Sequence, residues 1–219
     1  MIELLKAITS IEGEPHGFPT ALEWKRIQHI VGPLPLDYIS YIDYFGDGTF
    51  HDYLVIYPPQ MPKGEKRILC PASAADIKAY KDLAETFSDE IGQLIWYPTF
   101  AGFLPFGHTM CGDALFWKTD NPAPNEWKVI VWRRDNGSIH NFDGSLIDLI
   151  LWTAIEEHDN KYFARTAFQD RPLIFRSHPL PFPKEKVAEL DANWLSPAKK
   201  WINLRKSSTI PYFPNCDFG

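Results

Sequence analysis

The sequence has few cysteines and no long apolar run. The three cysteines lie far apart, and none has the spacing of a redox or zinc motif, so neither a disulfide framework nor a zinc cage is indicated. No apolar run approaches the roughly 20 residues that a membrane span needs. The first residues carry Glu3 and Glu12 and lack the basic and apolar regions of a secretory signal. These absences predict a cytoplasmic protein that does not bind a membrane.

No motif in the sequence meets the requirements of an enzyme, a metal site or a phosphate-binding loop. The strongest enzyme-like pattern is His108-x-x-Cys111-x-Asp113, in which an imidazole would activate a thiol for a hydrolase. It lacks an oxyanion-hole motif, and His108 with Cys111 supplies fewer ligands than a zinc site usually has. Neither a Walker A pattern nor a dinucleotide-binding glycine motif is present. We therefore predict no catalytic residue, no metal and no cofactor, with a Cys111-dependent hydrolase as the remote alternative.

Charge is distributed unevenly along the chain. Residues 1–160 carry 12 Lys and Arg against 23 Asp and Glu, a net charge of −11, whereas residues 161–219 carry 10 against 5, a net charge of +5. An acidic body disfavours binding to a nucleic-acid backbone and suits a basic protein partner. Solubility is the alternative explanation of the same imbalance. The charge pattern thus indicates a protein partner and no nucleic acid.

Local patterns predict short helices at the start of the chain. Thr20 and Glu23 have the spacing of a capping box, and the helix that they begin is expected to end at Gly32. Prolines follow, and a second helix is predicted from near Leu36 to Gly46. Further helices are predicted over residues 73–87, 145–158, 184–195 and 197–206.

After the second helix the apolar pattern changes to the period of two that is typical of strands. The stretch DGTFHD predicts a turn, and strands are predicted over residues 53–57, 94–97, 103–106, 114–118 and 127–133. Both faces of the 127–133 strand are mostly apolar, so we expect it to be covered on both sides. Asp135-Asn136-Gly137 predicts a hairpin turn. This order predicts an α+β fold, with N-terminal helices, a mostly antiparallel meander sheet and a closing helix.

The chain is predicted to consist of one domain and a C-terminal extension. Residues 1–160 carry the apolar pattern of a core. Residues 161–219 are basic, contain several prolines and hold too few apolar positions for a core of their own. We expect this extension to pack on the domain or to trail from it.

Short motifs follow one another in an order that is typical of one protein family. Residues 32–38 read GPLPLDY and residues 46–48 read GDG, before a strand. Residues 105–107 read PFG and residues 112–117 read GDALFW, before the apolar strand and the closing helix. Over residues 18–158 this succession resembles the SUKH superfamily of Smi/Knr-type domains. The segment between the early and middle strands is longer than in the family pattern.

The resemblance implies an α+β fold and a role in binding other proteins. Bacterial members of the superfamily are immunity proteins, which bind and block a polymorphic toxin that is often a nuclease or a deaminase. Fungal members are regulatory interaction scaffolds for the cell wall. The resemblance therefore implies a non-enzymatic protein that binds a toxin domain, with a regulatory scaffold as the alternative.

The resemblance also assigns candidate binding residues to the positions that match the family signature. These residues are Gly32, Leu34, Pro35, Asp37, Tyr38, Gly46, Gly48, Asp113 and Trp117. Each of them also has an architectural explanation, because glycine and proline shape turns and large aromatic residues fill cores. The acidic side chains Asp43, Asp47 and Asp52 are the candidates for electrostatic contact with a basic toxin.

Overall fold

The computed structural model describes residues 1–59, 94–153, 161–163 and 173–178. In this part of the chain, most strands follow one another without an intervening α-helix, as expected of an α+β fold. The helices are α1 Ile2–Ile8, α2 Ala21–Val31, α3 Leu36–Phe45 and α4 Leu146–Trp152, with a 3-10 helix at Pro124–Glu126. The strands are β1 Ser10–Glu12, β2 Gly48–Phe50, β3 Leu54–Ile56, β4 Phe103–Thr109, β5 Ala114–Lys118, β6 Lys128–Trp132, β7 Ile139–Phe142 and β8 Ile174–Ser177.

The strands form one 8-stranded sheet in the order β1-β8-β2-β3-β4-β5-β6-β7. From β2 to β7 each strand pairs antiparallel with the next one in the sequence, which is the pattern of a meander. β8 pairs antiparallel with β2 and parallel with β1. The predicted α+β fold with a mostly antiparallel meander sheet is confirmed.

Side-chain caps explain where two of the helices begin. The Thr20 hydroxyl accepts from the Glu23 amide at 3.3 Å, and the Glu23 carboxylate accepts from the Thr20 amide at 2.7 Å. Ser145 and Asp148 form the same reciprocal pair at the start of α4. Each pair satisfies two amides that the first turn leaves without a helical partner.

Among the described residues, no helix combines the length and apolarity that a membrane crossing requires.

The segment between α3 and β3 differs from the turn that was predicted over DGTFHD. Gly48–Phe50 forms β2, and only His51 and Asp52, each with φ of 54°, form the reversal. The Tyr53 amide donates to the Phe50 carbonyl at 2.9 Å and closes the turn. Two consecutive positive φ values suit a type I′ turn, whose twist matches that of paired strands. The prediction was right about the reversal and wrong about its extent.

The strand predicted over residues 94–97 is wrong, and α1 and β1 were not predicted. Within residues 94–97 only Trp96 makes a bridge, with Phe103, because the chain turns immediately afterwards. α1 and β1 are too short to show a periodic apolar pattern. The closing helix is confirmed as far as Trp152. The helices predicted over 73–87, 184–195 and 197–206, and the end of the closing helix, lie outside the described residues.

Apolar side chains are buried on both faces of the sheet. The face that packs against the helices carries the larger cluster, to which β6 contributes Val129 and Val131. The opposite face carries Ala114, Phe116, Ile130 and Trp132. Successive residues of β6 point to opposite faces because a strand alternates with a period of two. The prediction that this strand is covered on both sides is confirmed.

Part of the predicted C-terminal extension lies in the sheet. β8 is an interior strand between β1 and β2, and Phe163, Leu173 and Phe175 are 2%, 3% and 0% exposed within the larger cluster. All described residues belong to one compact unit that ends at His178. Burial of these three side chains stabilises the same apolar core that the helices pack into. The basic remainder of the extension lies outside the described residues.

Candidate functional site

Asp37 connects the N-termini of α3 and α4. Its Oδ1 accepts from the Tyr38 amide at 2.7 Å, and its Oδ2 accepts from the Ile147 amide at 3.4 Å. The Leu146 amide and the Ser145 hydroxyl also lie near this carboxylate and favour its charged form. Amides in the first turn of a helix lack helical partners and attract negative charge. One carboxylate therefore fixes the start of the closing helix against the start of α3.

The environment of Asp37 predicts a pH-dependent stability. Burial raises the pKa of Asp37 above its ordinary value of 3.8, and the hydrogen bonds offset only part of this effect. The native state then binds the proton more tightly than the unfolded state, so the Asp37 contribution is full below pH of about 4 and is lost as the pH rises. In urea denaturation from acidic to neutral pH, the stability advantage of the wild type over Asp37→Asn should shrink as the pH rises. A constant difference between the two proteins would contradict this prediction.

Gly46 and Gly48 make room for two other segments of the chain. A Cβ atom on Gly46, whose φ is +67°, would lie 1.9 Å from the His16 carbonyl oxygen. A Cβ atom on Gly48 would lie 2.3 Å from Cζ of Phe175 and 2.4 Å from the Arg176 carbonyl oxygen. Real Cβ contacts are not this short, so only glycine fits at either position. The Gly-x-Gly signature thus permits the N-terminal segment and β8 to pack against the end of α3.

Tyr38 and Trp117 belong to an aromatic stack in the core. They are 0% and 1% exposed, and their rings meet edge to face with centroids 5.1 Å apart. The Tyr38 hydroxyl donates to the Tyr57 carbonyl at 2.7 Å, so its polar end is satisfied. Trp117 stacks on Phe106 at a centroid distance of 4.3 Å. Aromatic pairs of this geometry add to the free energy of burial.

The remaining residues of the first motif shape the connection between α2 and α3. Gly32 ends α2 with φ of 77°, in the region that favours glycine. Leu34 is 3% exposed in the larger apolar cluster. The Pro35 carbonyl accepts from the Ile39 amide at 3.1 Å, which is the first helical bond of α3. These contacts explain the GPLP sequence through local geometry and burial.

Asp113 is a fully buried carboxylate that holds the β4–β5 turn. It is 0% exposed and accepts from the Thr109 hydroxyl at 3.0 Å and from the Arg134 amide at 3.0 Å. The Tyr53 hydroxyl approaches the same carboxylate at 3.5 Å. Burial, and next the charge of Asp113, raise the pKa of Tyr53, so its hydroxyl stays protonated and donates. A buried carboxylate needs such donors, because an unsatisfied one is costly.

His108 and Cys111 do not form a thiol–imidazole pair on one face of the sheet. His108 lies opposite Ala114, which belongs to the cluster on the far face, and its Nδ1 is 3.0 Å from the Tyr57 hydroxyl. Cys111 packs against the larger cluster on the helix face. Cross-strand partners share a face, so the imidazole and the thiol point to different sides. Across the described part of the chain, no group of three or more ligating side chains could hold a metal ion.

The three carboxylates predicted as an acidic contact loop each have a partner within the chain. Asp43 accepts from the indole Nε1 of Trp24, on α2, at 2.7 Å. Asp47 lies 2.8 Å from Nδ1 of His178, and Asp52 pairs with Arg176. The carboxylates of Asp47 and Asp52 retain 29% and 59% side-chain exposure, so they still present negative charge to the solvent. Their contact with a toxin stays a prediction.

The signature residues are brought together by the fold, but mainly inside it. Of the residues that match the signature, Leu34, Tyr38, Asp113 and Trp117 are buried at 3% exposure or less. Their side chains contact the core, the turns and the helix ends described above. A direct binding role for the signature stays a prediction, since their burial shows only what they contact within the chain.

Residues 28–150 match the model of the SUKH_6 family, whose description is SMI1-KNR4 cell-wall. This region is more than half of the chain and contains α3, the meander from β2 to β7 and the first turns of α4. The chain belongs to this family. No curated protein and no solved structure matches the chain.

The SUKH region is completed by residues that lie outside the family match. His16 from the N-terminal segment and Phe175 with Arg176 from β8 pack on the two signature glycines. No motif in the sequence indicates that these three residues are neighbours of the signature. The short stretch LIFRS around β8 begins with three consecutive apolar residues, which is a weak strand signal that could have found Phe175. In this chain, β1 and β8 extend the sheet beyond the region that the family model matches.

Proposed function

We propose that this chain is a non-enzymatic immunity protein, which neutralises a protein toxin by stoichiometric binding. The observation that carries the proposal is its membership of the SUKH family, which includes immunity proteins. An immunity protein binds a toxin and blocks it, and in this way protects the cell that produces the toxin and the related cells around it. The proposed partner is a basic toxin domain, with nucleases and deaminases as the first candidates.

The charge of the chain supports a basic partner. Residues 1–160 carry a net charge of −11. Opposite potentials accelerate the encounter of two proteins and disfavour wrong partners. A nuclease needs a basic surface to bind the phosphate backbone of its substrate. An acidic inhibitor can therefore compete with nucleic acid for that surface.

The position of the one enzyme-like pattern supports a binding mechanism over a hydrolytic one. His108 contacts the Tyr57 hydroxyl on the far face of the sheet, while Cys111 packs on the helix face. A thiol nucleophile needs a base within hydrogen-bond distance to accept its proton. Stoichiometric binding does not need this pair.

Co-expression with the toxin domain encoded beside its gene tests the proposal. Cells that express both proteins should grow like cells without the toxin, and the two proteins should elute together from gel filtration as an equimolar complex. Cys111→Ala is the matched control, because it should protect fully if binding alone neutralises the toxin. Cell death at an undiminished rate, with no complex, would refute the immunity role. Loss of protection in Cys111→Ala with the complex intact would favour the hydrolase instead.

A regulatory interaction protein is the second candidate function. The family description names the cell wall, which favours a role of the fungal regulator type. Such a protein binds cellular partners and not a toxin. If no toxin-like gene lies beside its gene, and the tagged chain co-purifies reproducibly with the same housekeeping proteins, this second candidate replaces the first.

A further inference from the structure

The N-terminal helix leaves most of its apolar stripe exposed. Leu5 in this stripe is buried in the larger cluster at 0% exposure. Met1, Leu4 and Ile8 lie at helical spacing on the same side of the helix and are 64%, 50% and 44% exposed. A helix on the surface of a domain normally turns charged or polar side chains toward water. Adjacent exposed apolar side chains are instead typical of a surface that another molecule covers.

β1 presents one more exposed apolar side chain at the edge of the sheet. Ile11 is 36% exposed and pairs in register with Phe175, so it points to the same face as the helices. The Ser10 amide donates to the Leu173 carbonyl at 2.9 Å, toward β8. Because backbone groups alternate in direction along a strand, the N–H and C=O groups of Ile11 point away from β8. β1 is the edge strand of the sheet formed by the described residues.

Carboxylates surround this apolar stripe. Glu3 has 82% side-chain exposure and pairs with Lys6 at 2.8 Å, and Glu12 projects from β1 with 50% side-chain exposure and pairs with Arg176 at 2.6 Å. Arg176 also pairs with Asp52, so one cation serves two carboxylates. Glu14 lies in the next segment, whose backbone accepts from the Ser177 hydroxyl at 2.8 Å. Among the described residues, the side chains of Lys6 and Arg176 face four carboxylates, Glu3, Glu12, Glu14 and Asp52, so acidic side chains outnumber basic ones at this edge.

This edge lies outside the region that the family model covers. The match begins at residue 28, whereas α1 and β1 end before it. The matched region supplies the meander. Segments outside the part of a chain that defines its family can differ between members, which suits them to recognise a partner that is particular to one member.

We propose that this N-terminal edge, formed by Met1, Leu4, Ile8 and Ile11 with Glu3 and Glu12, is the surface that binds the basic protein partner; the inference rests on the proposed function. An apolar centre with a charged rim is the usual composition of a protein interface. The apolar side chains contribute affinity, and the carboxylates attract a partner whose rim is basic. A nucleic acid does not fit, because its phosphates would meet carboxylates.

Titration with the purified toxin domain encoded beside the gene tests this surface on the full-length chain. The double variant Leu4→Gln, Ile8→Gln keeps good helix formers and should weaken the Kd by roughly tenfold or more. Leu22→Gln is the matched control, since Leu22 is 58% exposed on α2, and it should leave the Kd unchanged.

Glu12→Lys should slow association by roughly tenfold at low salt, whereas Glu126→Lys on the 3-10 helix should not. Melting temperatures within a few degrees of the wild type confirm that the variants are folded.

The outcomes separate the two proposals. The N-terminal edge is supported as the binding surface if the α1 double variant and Glu12→Lys bind the toxin domain more weakly or more slowly while the two control variants bind like the wild type. Wild-type affinity in those variants overturns this inference and leaves the immunity role intact. A wild-type chain that does not bind the toxin domain overturns the proposed function and the inference together.

Discussion

A chain that ends at residue 160 should not fold cooperatively, whereas a chain that ends at His178 should. The difference is β8, which pairs with β2 on one side and with β1 on the other. Without it, β1 has no neighbour in the sheet and β2 becomes an unprotected edge. The shorter chain also lacks Phe163, Leu173 and Phe175, which are buried in the core. Circular dichroism during urea denaturation would measure the two transitions.

A single substitution isolates the part of this effect that comes from the core. The Phe175 ring lies 5.1 Å from the ring of Phe45 and 5.3 Å from that of Phe50, between centroids. Phe175→Ala would leave a cavity among these rings and should lower the free energy of unfolding by about 3–5 kcal/mol. That is a large fraction of the roughly 5–15 kcal/mol by which a domain is stable. Phe100→Ala is the matched control, because Phe100 is 71% exposed.

Two results would contradict this account of the extension. The first is an equal unfolding midpoint for the chains that end at residues 160 and 178. The second is a Phe175→Ala variant that is as stable as Phe100→Ala. Either result would mean that β8 is dispensable for the stability of the sheet.

Helix ends were predictable because their signals are local. Thr20 with Glu23 forms a capping box within three residues of sequence, and the structure forms the same two hydrogen bonds. Gly32 and Gly46 end α2 and α3 with positive φ, as glycine at these positions predicts. The strands from β4 to β6 were predictable for the same reason, because about five residues are enough to show an apolar pattern with a period of two.

Long-range pairing was not predictable from these patterns. β8 has four residues and lies beside β1, which is more than 160 residues earlier in the chain. Nothing in either stretch specifies the other as its partner. The acidic loop shows the same limit, because Asp47 and His178 are 131 residues apart and still lie at 2.8 Å. The sequence indicated a charged loop but not the side chains that pair with it.

The contacts of the signature residues could not be predicted from the sequence. The resemblance identified Asp37, Gly46 and Asp113, and each holds a distinct junction of the fold. The sequence pattern does not reveal that Asp37 reaches the start of α4 or that Asp113 accepts from the Arg134 amide. The exposed stripe of α1 was missed for a different reason. A helix of seven residues is too short for its apolar spacing to stand out in the sequence.

Gly46→Ala should be among the most destabilising single substitutions in the SUKH region. The φ of +67° is strained for alanine, which costs about 1–3 kcal/mol. The new Cβ would also lie 1.9 Å from the carbonyl oxygen of His16. That oxygen accepts from the Asp47 amide at 2.9 Å, so it cannot move without breaking this bond. Displacing this backbone adds a further cost of about 1–3 kcal/mol.

Gly32→Ala separates the two costs. Gly32 has a similar φ of +77°, but the nearest atom to its Cβ position is the Tyr97 hydroxyl at 3.3 Å. A side-chain hydroxyl can shift by a few tenths of an ångström, so Gly32→Ala should show mainly the conformational strain. Urea denaturation of both variants should give a larger loss for Gly46→Ala. Equal losses would mean that the N-terminal segment yields freely at His16, and therefore that it does not pack firmly against the end of α3.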